Sequence, residues 1–387
     1  MRLVYVDPQS YHGLAKYDVA YLRALIDADF DGEIHFYCSD LLDQPVPNDV
    51  NAMPLFHYNR RPSAIAKFFS YALSTFRLLL AAFTRPAEIY HFQWFKFPPL
   101  DLLLVFVLRR VARAKVVYTA HNVVPHGAEQ RRHRFLGRLY REVDHIVVHN
   151  AGTADDIAQR FSVAREKFTV VPHGAISLQV KGTPEHKKRV RDFAQSHDTC
   201  FLFFGRGSRY KGLDILLAAW PKAAAAGKTN AGLIVIGAID DDLKALAQRT
   251  ADASDGSLLL VDEFVSEADL FNAVEQCDVV VLPHRTISQS GVLLSVLGLG
   301  APVLVSALPG LLEPFTIASV GWQFDGSEEA LVKQMTYLAS HAEAVSTVRD
   351  DRESWDAIRR AYEWTAIARR TALLYENLVI APARSEA

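Results

Sequence analysis

Short runs of apolar, largely β-branched and aromatic residues recur along the chain, separated by stretches of helical periodicity. In the first half the runs are LVYV (3–6), IHFYC (34–38), EIYHFQ (88–93), KVVYTAH (115–121), HIVVHN (145–150) and FTVVPHG (168–174). The second half repeats the pattern with CFLFFG (200–205), LIVIGA (233–238), LLLVDEFV (258–265), VVVLPH (279–284), PVLVS (302–306) and GWQF (321–324). Continuous apolar runs of this kind predict strands buried on both faces, hence parallel sheets covered by helices. Helical spacing lies between them, for example at 212–226 and 266–276. Alternating strands and helices joined by right-handed crossovers predict a doubly wound α/β unit. Two series in one chain predict two such units, with a cleft between them.

Length supports the division, since 387 residues exceed one ordinary core and domains run to roughly 150 residues. The boundary is expected after VVPHGAIS, where the polar stretch LQVKGTPEHKKRVRDFAQSHD intervenes before strands resume. That gives a first domain over 1–178, a second over 179–353, and a closing helical segment over 354–387 that crosses back to the first. A hydrophobic content of 50% with 22% charged residues describes a globular chain. Cys38, Cys200 and Cys277 show no metal-ligand or disulfide-framework spacing, which fits a reducing cytoplasm. The start MRLVYVDPQ has no secretory pattern, and uninterrupted apolar runs such as LLLVFVL are too short to span a bilayer. Residues 1–175 hold 21 Lys/Arg against 17 Asp/Glu, and the remainder 21 against 27, so the two halves are expected to meet different partners.

Ligands of doubly wound sheets bind outside the carboxyl ends of the strands. The residues there are Asp7 with Gly13, His121 with Asn122, His173 with Gly174, Gly205 with Arg206, and the stretch PHRTISQSG. In FLFFGRGSRYKGLDILLAAW, Arg206 and Lys211 follow a strand end. A guanidinium fork and a point-charge ammonium suit a diphosphate, while the plainer reading is a solvated loop. Ser288, Gln289, Ser290 and Gly291 precede the helix VLLSVLGLG. Their backbone amides and the helix dipole favour phosphate, while the plainer reading is simple capping. His121, Asn122 and His126 follow the strand KVVYTAH and are placed to meet a reacting sugar or phosphate, where a lone histidine would otherwise be structural.

Taken together, these segments resemble the retaining glycosyltransferases of family 4, over nearly the whole length. The resemblance implies the GT-B fold, two Rossmann-like domains facing a cleft, and a nucleotide-sugar donor, UDP- or GDP-linked. GRGSRYKG is similar to the family's Gly-Arg-…-Lys-Gly segment, which assigns Arg206 and Lys211 to the donor diphosphate beside Gly205. YTAHNVVPH is similar to its Thr-x-His segment, which places His121 near the donor sugar. Glu263, Phe264 and Val265 then lie near the base pocket, and Glu313 ends the Pro-Val-…-Gly-x-x-Glu stretch. His284 and Val292 complete the donor-binding set around Ser288–Gly291. The chain departs from the family in one place. The paired glutamates around a Phe-Gly pair are absent, with Ser288 at the first position and Ser295 or Val296 at the second, so the chain resembles a Gln-Ser-Gly variant. The layout implies no metal and no cofactor beyond the donor substrate, and no Asp-x-Asp cluster is present. Asp7, Gly13, Asp18, Asn122 and His173 are expected on the first-domain side. Asp7 and Asp18 are the candidate bases if configuration inverts, and turn capping and surface exposure are their plainer readings.

The expected acceptor is a glycan or lipid-linked saccharide of bacterial polysaccharide synthesis. Between Asp49 and Glu88 there is no acidic residue, and Arg60, Arg61, Lys67, Arg77 and Arg85 stand among aromatics and leucines. That composition suits an anionic membrane surface, the inner face of the plasma membrane, or else an ordinary helix on a sheet. Nucleic acid fits poorly with a formal net charge of −2. Other readings are a two-lobed binding protein, a sugar-nucleotide epimerase of the same fold, and a non-catalytic GT-B partner.

Overall fold

A computed structural model describes residues 1–121, 130–174, 184–226, 229–287 and 290–380. The strands are β1 (Arg2–Val6), β2 (Glu33–Ser39), β3 (Val50–Phe56), β4 (Ile89–Phe92), β5 (Lys115–Ala120), β6 (His145–Val148) and β7 (Phe168–Val170). They continue with β8 (Thr199–Phe204), β9 (Ala231–Ile236), β10 (Leu258–Val261), β11 (Val279–Leu282), β12 (Val303–Ser306) and β13 (Gly321–Phe324). All twelve expected strands form. The addition is β3, at the sheet edge, where four consecutive residues are exposed and Pro54 can sit because no neighbour needs its missing N–H. Its sequence VNAMPLF therefore lacks the apolar run that marks a central strand.

The helices are α1 (Gly13–Asp27), α2 (Ala64–Thr84), α3 (Pro98–Arg110), α4 (Gln130–Glu142), α5 (Ala151–Phe161), α6 (Pro184–Gln195), α7 (Leu213–Ala226) and α8 (Asp241–Asp252). After them come α9 (Glu267–Gln276), α10 (Gly291–Gly298), α11 (Pro309–Leu312), α12 (Glu328–Ser340), α13 (Ala342–Asp350), α14 (Arg352–Ala361) and α15 (Trp364–Ile380). Two compact units result, Met1–Gly174 with Glu363–Ala387, and Ala175–Tyr362.

In the first unit seven parallel strands run in the order β3-β2-β1-β4-β5-β6-β7. One face is covered by α2, α3, α4 and α5 around Tyr71, Leu78, Leu104, Leu108, Leu139 and Ile157. The other is covered by α1 and α15, which bring Tyr17, Tyr21, Leu22, Ile367 and Tyr375 together. In the second unit six parallel strands run β10-β9-β8-β11-β12-β13, with an apolar core on each face. Strand order reverses beside β1 and β4 in one sheet and beside β8 and β11 in the other. Chain ends diverge at those points and leave a crevice outside the sheet.

Three features go beyond the expectations. The closing segment is two helices, not one. The α14 stripe Trp355 and Ile358 packs in the second unit, whereas Ile367, Thr371 and Tyr375 of α15 pack in the first, so the chain breaks at Tyr362–Glu363 to serve two cores. Helix α2 has 21 residues and an 18-residue window of mean hydropathy 1.3, long and apolar enough to cross a membrane by length and composition. Lys67 and Arg77 had concealed it by splitting its apolar runs. Cys200 and Cys277, distant in sequence, lie with their sulfurs 3.7 Å apart as buried thiols.

Candidate functional site

Asp7 follows β1 at the switch point of the first sheet. Its Oδ1 accepts from the Gln9 amide at 2.6 Å, the capping role expected of a turn aspartate. Asp18 projects from α1 and is buried, not surface-exposed; its Oδ1 accepts from the Tyr5 hydroxyl at 2.9 Å. The two carboxyls are close enough to interact, and one oxygen of each, Asp7 Oδ2 and Asp18 Oδ2, is buried without a hydrogen-bond partner. Burial and the neighbouring Asp7 charge push Asp18 well above the carboxylate range, and burial brings Asp7 up to about 6. Gly13 opens α1, with open space where a Cβ would stand.

Residues from the next four strand ends form one hydrogen-bonded chain. Tyr21 and Tyr375 hydroxyls lie 2.9 Å apart, and the Tyr375 hydroxyl meets His91 Nδ1. The Gln93 side-chain amide lies 3.2 Å from His91 Nε2 and 3.0 Å from His121 Nε2. His121 Nδ1 meets His149 Nε2 at 3.1 Å, and His149 Nδ1 donates to the Val171 carbonyl at 3.0 Å. That carbonyl fixes the proton order, because it can only accept. His149 Nε2 is then a lone pair and takes the His121 Nδ1 proton, leaving His121 Nε2 as an acceptor. Gln93 Oε1 facing His121 would set two lone pairs against each other. Gln93 therefore turns its NH2 to His121, and His91 Nε2–H faces the Gln93 carbonyl oxygen and the nearer Thr119 hydroxyl at 2.7 Å. Burial holds the rings neutral, with His91 and His149 down to about 3 and His121 well below its ordinary value.

Both ring nitrogens of His121 are thus engaged inside the unit, and the ring stacks on Trp94 at 5.1 Å with planes 10° apart. Tyr17 stands at the centre of the cluster, with ring centroids 5.2 Å from His121, 5.7 Å from His149, 4.7 Å from His173 and 5.4 Å from Trp364. His173 joins it with Nδ1 on the Gly174 carbonyl at 2.8 Å. Asn122 and His126 lie outside the described residues. Sequence reasoning missed His91, Gln93, Trp94 and His149, although the runs EIYHFQ and HIVVHN both end in polar residues at strand ends.

In the second unit Gly205 ends β8 and Arg206 follows. Gly205 has φ +89, and a Cβ there would lie 3.1 Å from Lys211 Nζ, so Lys211 folds back over the strand end. Gly212 has φ +75 and packs against the Pro283 carbonyl, where no side chain fits. This contact seats the start of α7 against the end of β11, across the reversal of strand order. Next to Pro283, His284 is buried and held neutral, down to about 4, by desolvation and by the Lys211 ammonium. Lys211 is lowered in turn by burial and by Arg206. Arg206 is largely exposed and pairs with Asp240 at 2.7 Å. The Asp240 loop is tied to the Arg206 loop by Gly207 N–H donating to Ala238 O and Asp240 N–H donating to Gly207 O.

A cavity of about 470 Å³ opens here, lined by Gly205, Arg206, Gly237, Ile239, Asp240, Phe264, Val265 and Leu270 among others. Phe264 is 92% exposed, an aromatic face with nothing packed on it, and Val265 is buried. Glu263 is not in the lining; it pairs with His186 of α6 at 3.0 Å. Ser290 caps α10 by accepting from the Leu293 amide at 3.1 Å. Gly291 follows with nothing within 4 Å of a Cβ position, and Val292 packs on the apolar core. Ser288 and Gln289 lie outside the described residues. Glu313 is not in the cavity lining either; burial raises its carboxyl to about 7, and burial, then the Glu313 charge, raises Tyr362. Asp240 was missed, though it opens the acidic run DDD directly after β9.

Residues 13–175 match the family described as Glycosyltransferase Family 4, and residues 198–341 match the family described as Glycosyl transferases group 1. No curated protein matches the chain. Solved structures do. The chain is similar to HepE of Anabaena in complex with UDP, at TM-score 0.71 and 14% identity over 97% of this chain and 100% of that one. It is similar to a glycosyltransferase from Rickettsia africae at TM-score 0.72 and 12% identity over 98% of each chain. It is also similar to sucrose-phosphate synthase from Thermosynechococcus elongatus, at TM-score 0.71 and 15% identity over 98% of this chain and 99% of that one. At such identities the likenesses speak to the fold, which is GT-B.

Proposed function

We propose that this chain, a GT-B protein with a glycosyltransferase family domain in each unit, moves a sugar from a nucleotide sugar to a glycan or lipid-linked saccharide acceptor. The observation that carries the reading is the end of β8. There Gly205 and Arg206 line a cavity of about 470 Å³ with an unpacked aromatic at its edge, and Lys211, outside that lining, folds over Gly205. A base stacks on Phe264, and the diphosphate lies against Lys211, Arg206 and the first amides of α10. Negative charge builds on the β-phosphate as the anomeric bond breaks. Cations and amides fixed there before the reaction lower the barrier most. HepE binds UDP and, in further structures, UDP-glucose, which makes a UDP-sugar the first donor to try.

The reading includes retention of configuration without a metal. Among the described residues the His121 nitrogens are spent on His149 and Gln93, and Asp7 and Asp18 are buried beside each other, which favours a mechanism without an enzymatic base. His121, backed by Trp94, is a neutral ring of fixed orientation. The test is calorimetry with UDP and GDP, followed by release of nucleoside diphosphate from labelled UDP- and GDP-sugars, with and without chelator. Binding of one diphosphate and chelator-resistant turnover are expected. Binding without turnover on any donor would make the chain a non-catalytic sugar-nucleotide binder, and no binding would end the reading.

A further inference from the structure

Helix α2 has two apolar faces, and only one is used by the fold. On the inner face Tyr71, Leu78 and Ala82 enter the core, the Tyr71 hydroxyl donates to buried Asp101 at 2.7 Å, and the Ser74 hydroxyl donates to the Leu55 carbonyl at 2.7 Å. On the outer face Ile65, Phe69, Leu73, Phe76, Leu80 and Phe83 recur at spacings of three and four residues, and all are more than half exposed. Helix α3 lies on the same side of the sheet, since its Leu104, Val105 and Leu108 share the α2 core. Its outer residues Leu103 and Phe106 are also exposed, and Phe68 bridges to Phe97 at the start of α3 with ring centroids 5.4 Å apart. An apolar, aromatic-rich surface of this extent is not left in water by an ordinary globular unit.

The charge around it selects the occupant. Residues 50–115 hold ten Lys/Arg against two acids, Glu88 and Asp101, and Asp101 is buried under Tyr71. Basic residues beside aromatic and leucine side chains fit an anionic bilayer surface, where rings enter the acyl boundary and cations meet headgroups. We infer that the outer faces of α2 and α3 dock this protein on an anionic membrane. Helix α2 lies in the plane of the interface. Spanning would pull Tyr71, Ser74 and Thr75 away from the protein groups that satisfy them and into hydrocarbon.

This goes beyond the transferase reading and is tested without any substrate. The full chain is sedimented with phosphatidylcholine vesicles and with vesicles containing phosphatidylglycerol. Binding should rise with phosphatidylglycerol and fall with salt. The double variant Phe69→Glu/Phe76→Glu should lose at least about tenfold in partitioning, because two buried rings are replaced by charges. Arg77→Glu/Arg85→Glu should abolish the preference for the anionic lipid. Both pairs are surface-exposed, so unfolding midpoints near that of the parent show that folding is intact. Wild-type-like sedimentation of the Phe variant overturns the inference. So does equal binding to phosphatidylcholine alone, or a vesicle-free dimer that the Phe variant converts to monomer, which would make a second copy the occupant. UDP binding in the same variants should be unchanged.

Discussion

The strand ends of the two sheets solve opposite problems. In the first unit the histidines and Gln93 satisfy one another. Three imidazoles and an amide hand protons in one direction, and the rings are held neutral. In the second unit the groups are cations held near one another, with Arg206 paired to part-buried Asp240 and Lys211, among the described residues, in none of the ion pairs of its neighbours. The first arrangement ties its histidines to one another and can therefore hold a shape. The second is electrostatically unfinished and is completed by an anion. A bound diphosphate would offset the lowering of Lys211 by Arg206.

The sharpest way to break that contrast is to remove the cations. Arg206→Ala and Lys211→Ala should each lower turnover by at least about tenfold, up to the roughly hundredfold expected when one donor to a developing oxyanion is lost. The fold should survive, since Arg206 packs against no core and its surface ion pair with Asp240 contributes little. Steady-state release of UDP, with circular dichroism as a control, reads both. Unchanged rates in both variants would remove these residues from the site and leave the second unit's charge without a purpose.

Where sequence was legible, the reason is physical. Strands buried on both faces must be continuously apolar, so twelve were readable, and the one missed is an edge strand under no such constraint. Arg206, Lys211 and Gly212 were readable because a strand end, a positive-φ glycine and two cations are local. The histidine chain was not, because it joins residues 21, 91, 93, 121, 149 and 375, which meet only through the sheet order. The Arg206–Asp240 pair was hidden for the same reason, as it joins two loops through neighbouring strands. The outer face of α2 was half legible. Its charge bias could be counted, but which stripe faced the core could not.

The first unit can be tested through proton linkage, with two variants expected to respond in opposite senses. His149→Leu leaves the His121 Nδ1 proton and the Val171 carbonyl without partners, at a cost of about 1–3 kcal/mol near neutral pH. His149 in the fold lies near 3, against 6.5 when free. Below 6.5 the unfolded chain takes up the proton and the folded chain does not, so this group's stability is lost as pH falls, at about 1.4 kcal/mol per pH unit. The variant lacks that loss, and its deficit should shrink between pH 6.5 and 4.5. For Asp18 the sign reverses. Its folded value is raised, so its favourable contribution is complete below the ordinary value of 3.8 and is lost as pH rises. Asp18→Asn keeps a donor toward Asp7 and sheds that loss, so it should gain on the parent from pH 4 to 8. Urea unfolding across pH measures both. Parallel profiles for parent and variants would mean that these groups are solvated and that the first unit is not the closed, neutral network described.

The smallest effects test where the second unit ends and the ligand begins. Ser290→Ala removes the cap on α10 and should cost about 1 kcal/mol of stability, because the Leu293 amide loses its acceptor. Gly291→Ala should cost nothing in the empty protein. No atom lies within 4 Å of the new Cβ, and the residue is already in the helix, where alanine is the better former. A methyl group at the first turn is nonetheless in the way of a phosphate approaching those amides. The prediction is therefore a dissociation between two measurements: an unfolding midpoint equal to or above the parent's, and weaker UDP affinity by calorimetry. Gly291→Val should widen the gap. If both variants bind UDP as the parent does, the start of α10 is only a helix start, and the diphosphate is held by Arg206 and Lys211 alone. The open space at Gly291 would then belong to solvent, and the second unit's unfinished charge would be confined to the end of β8.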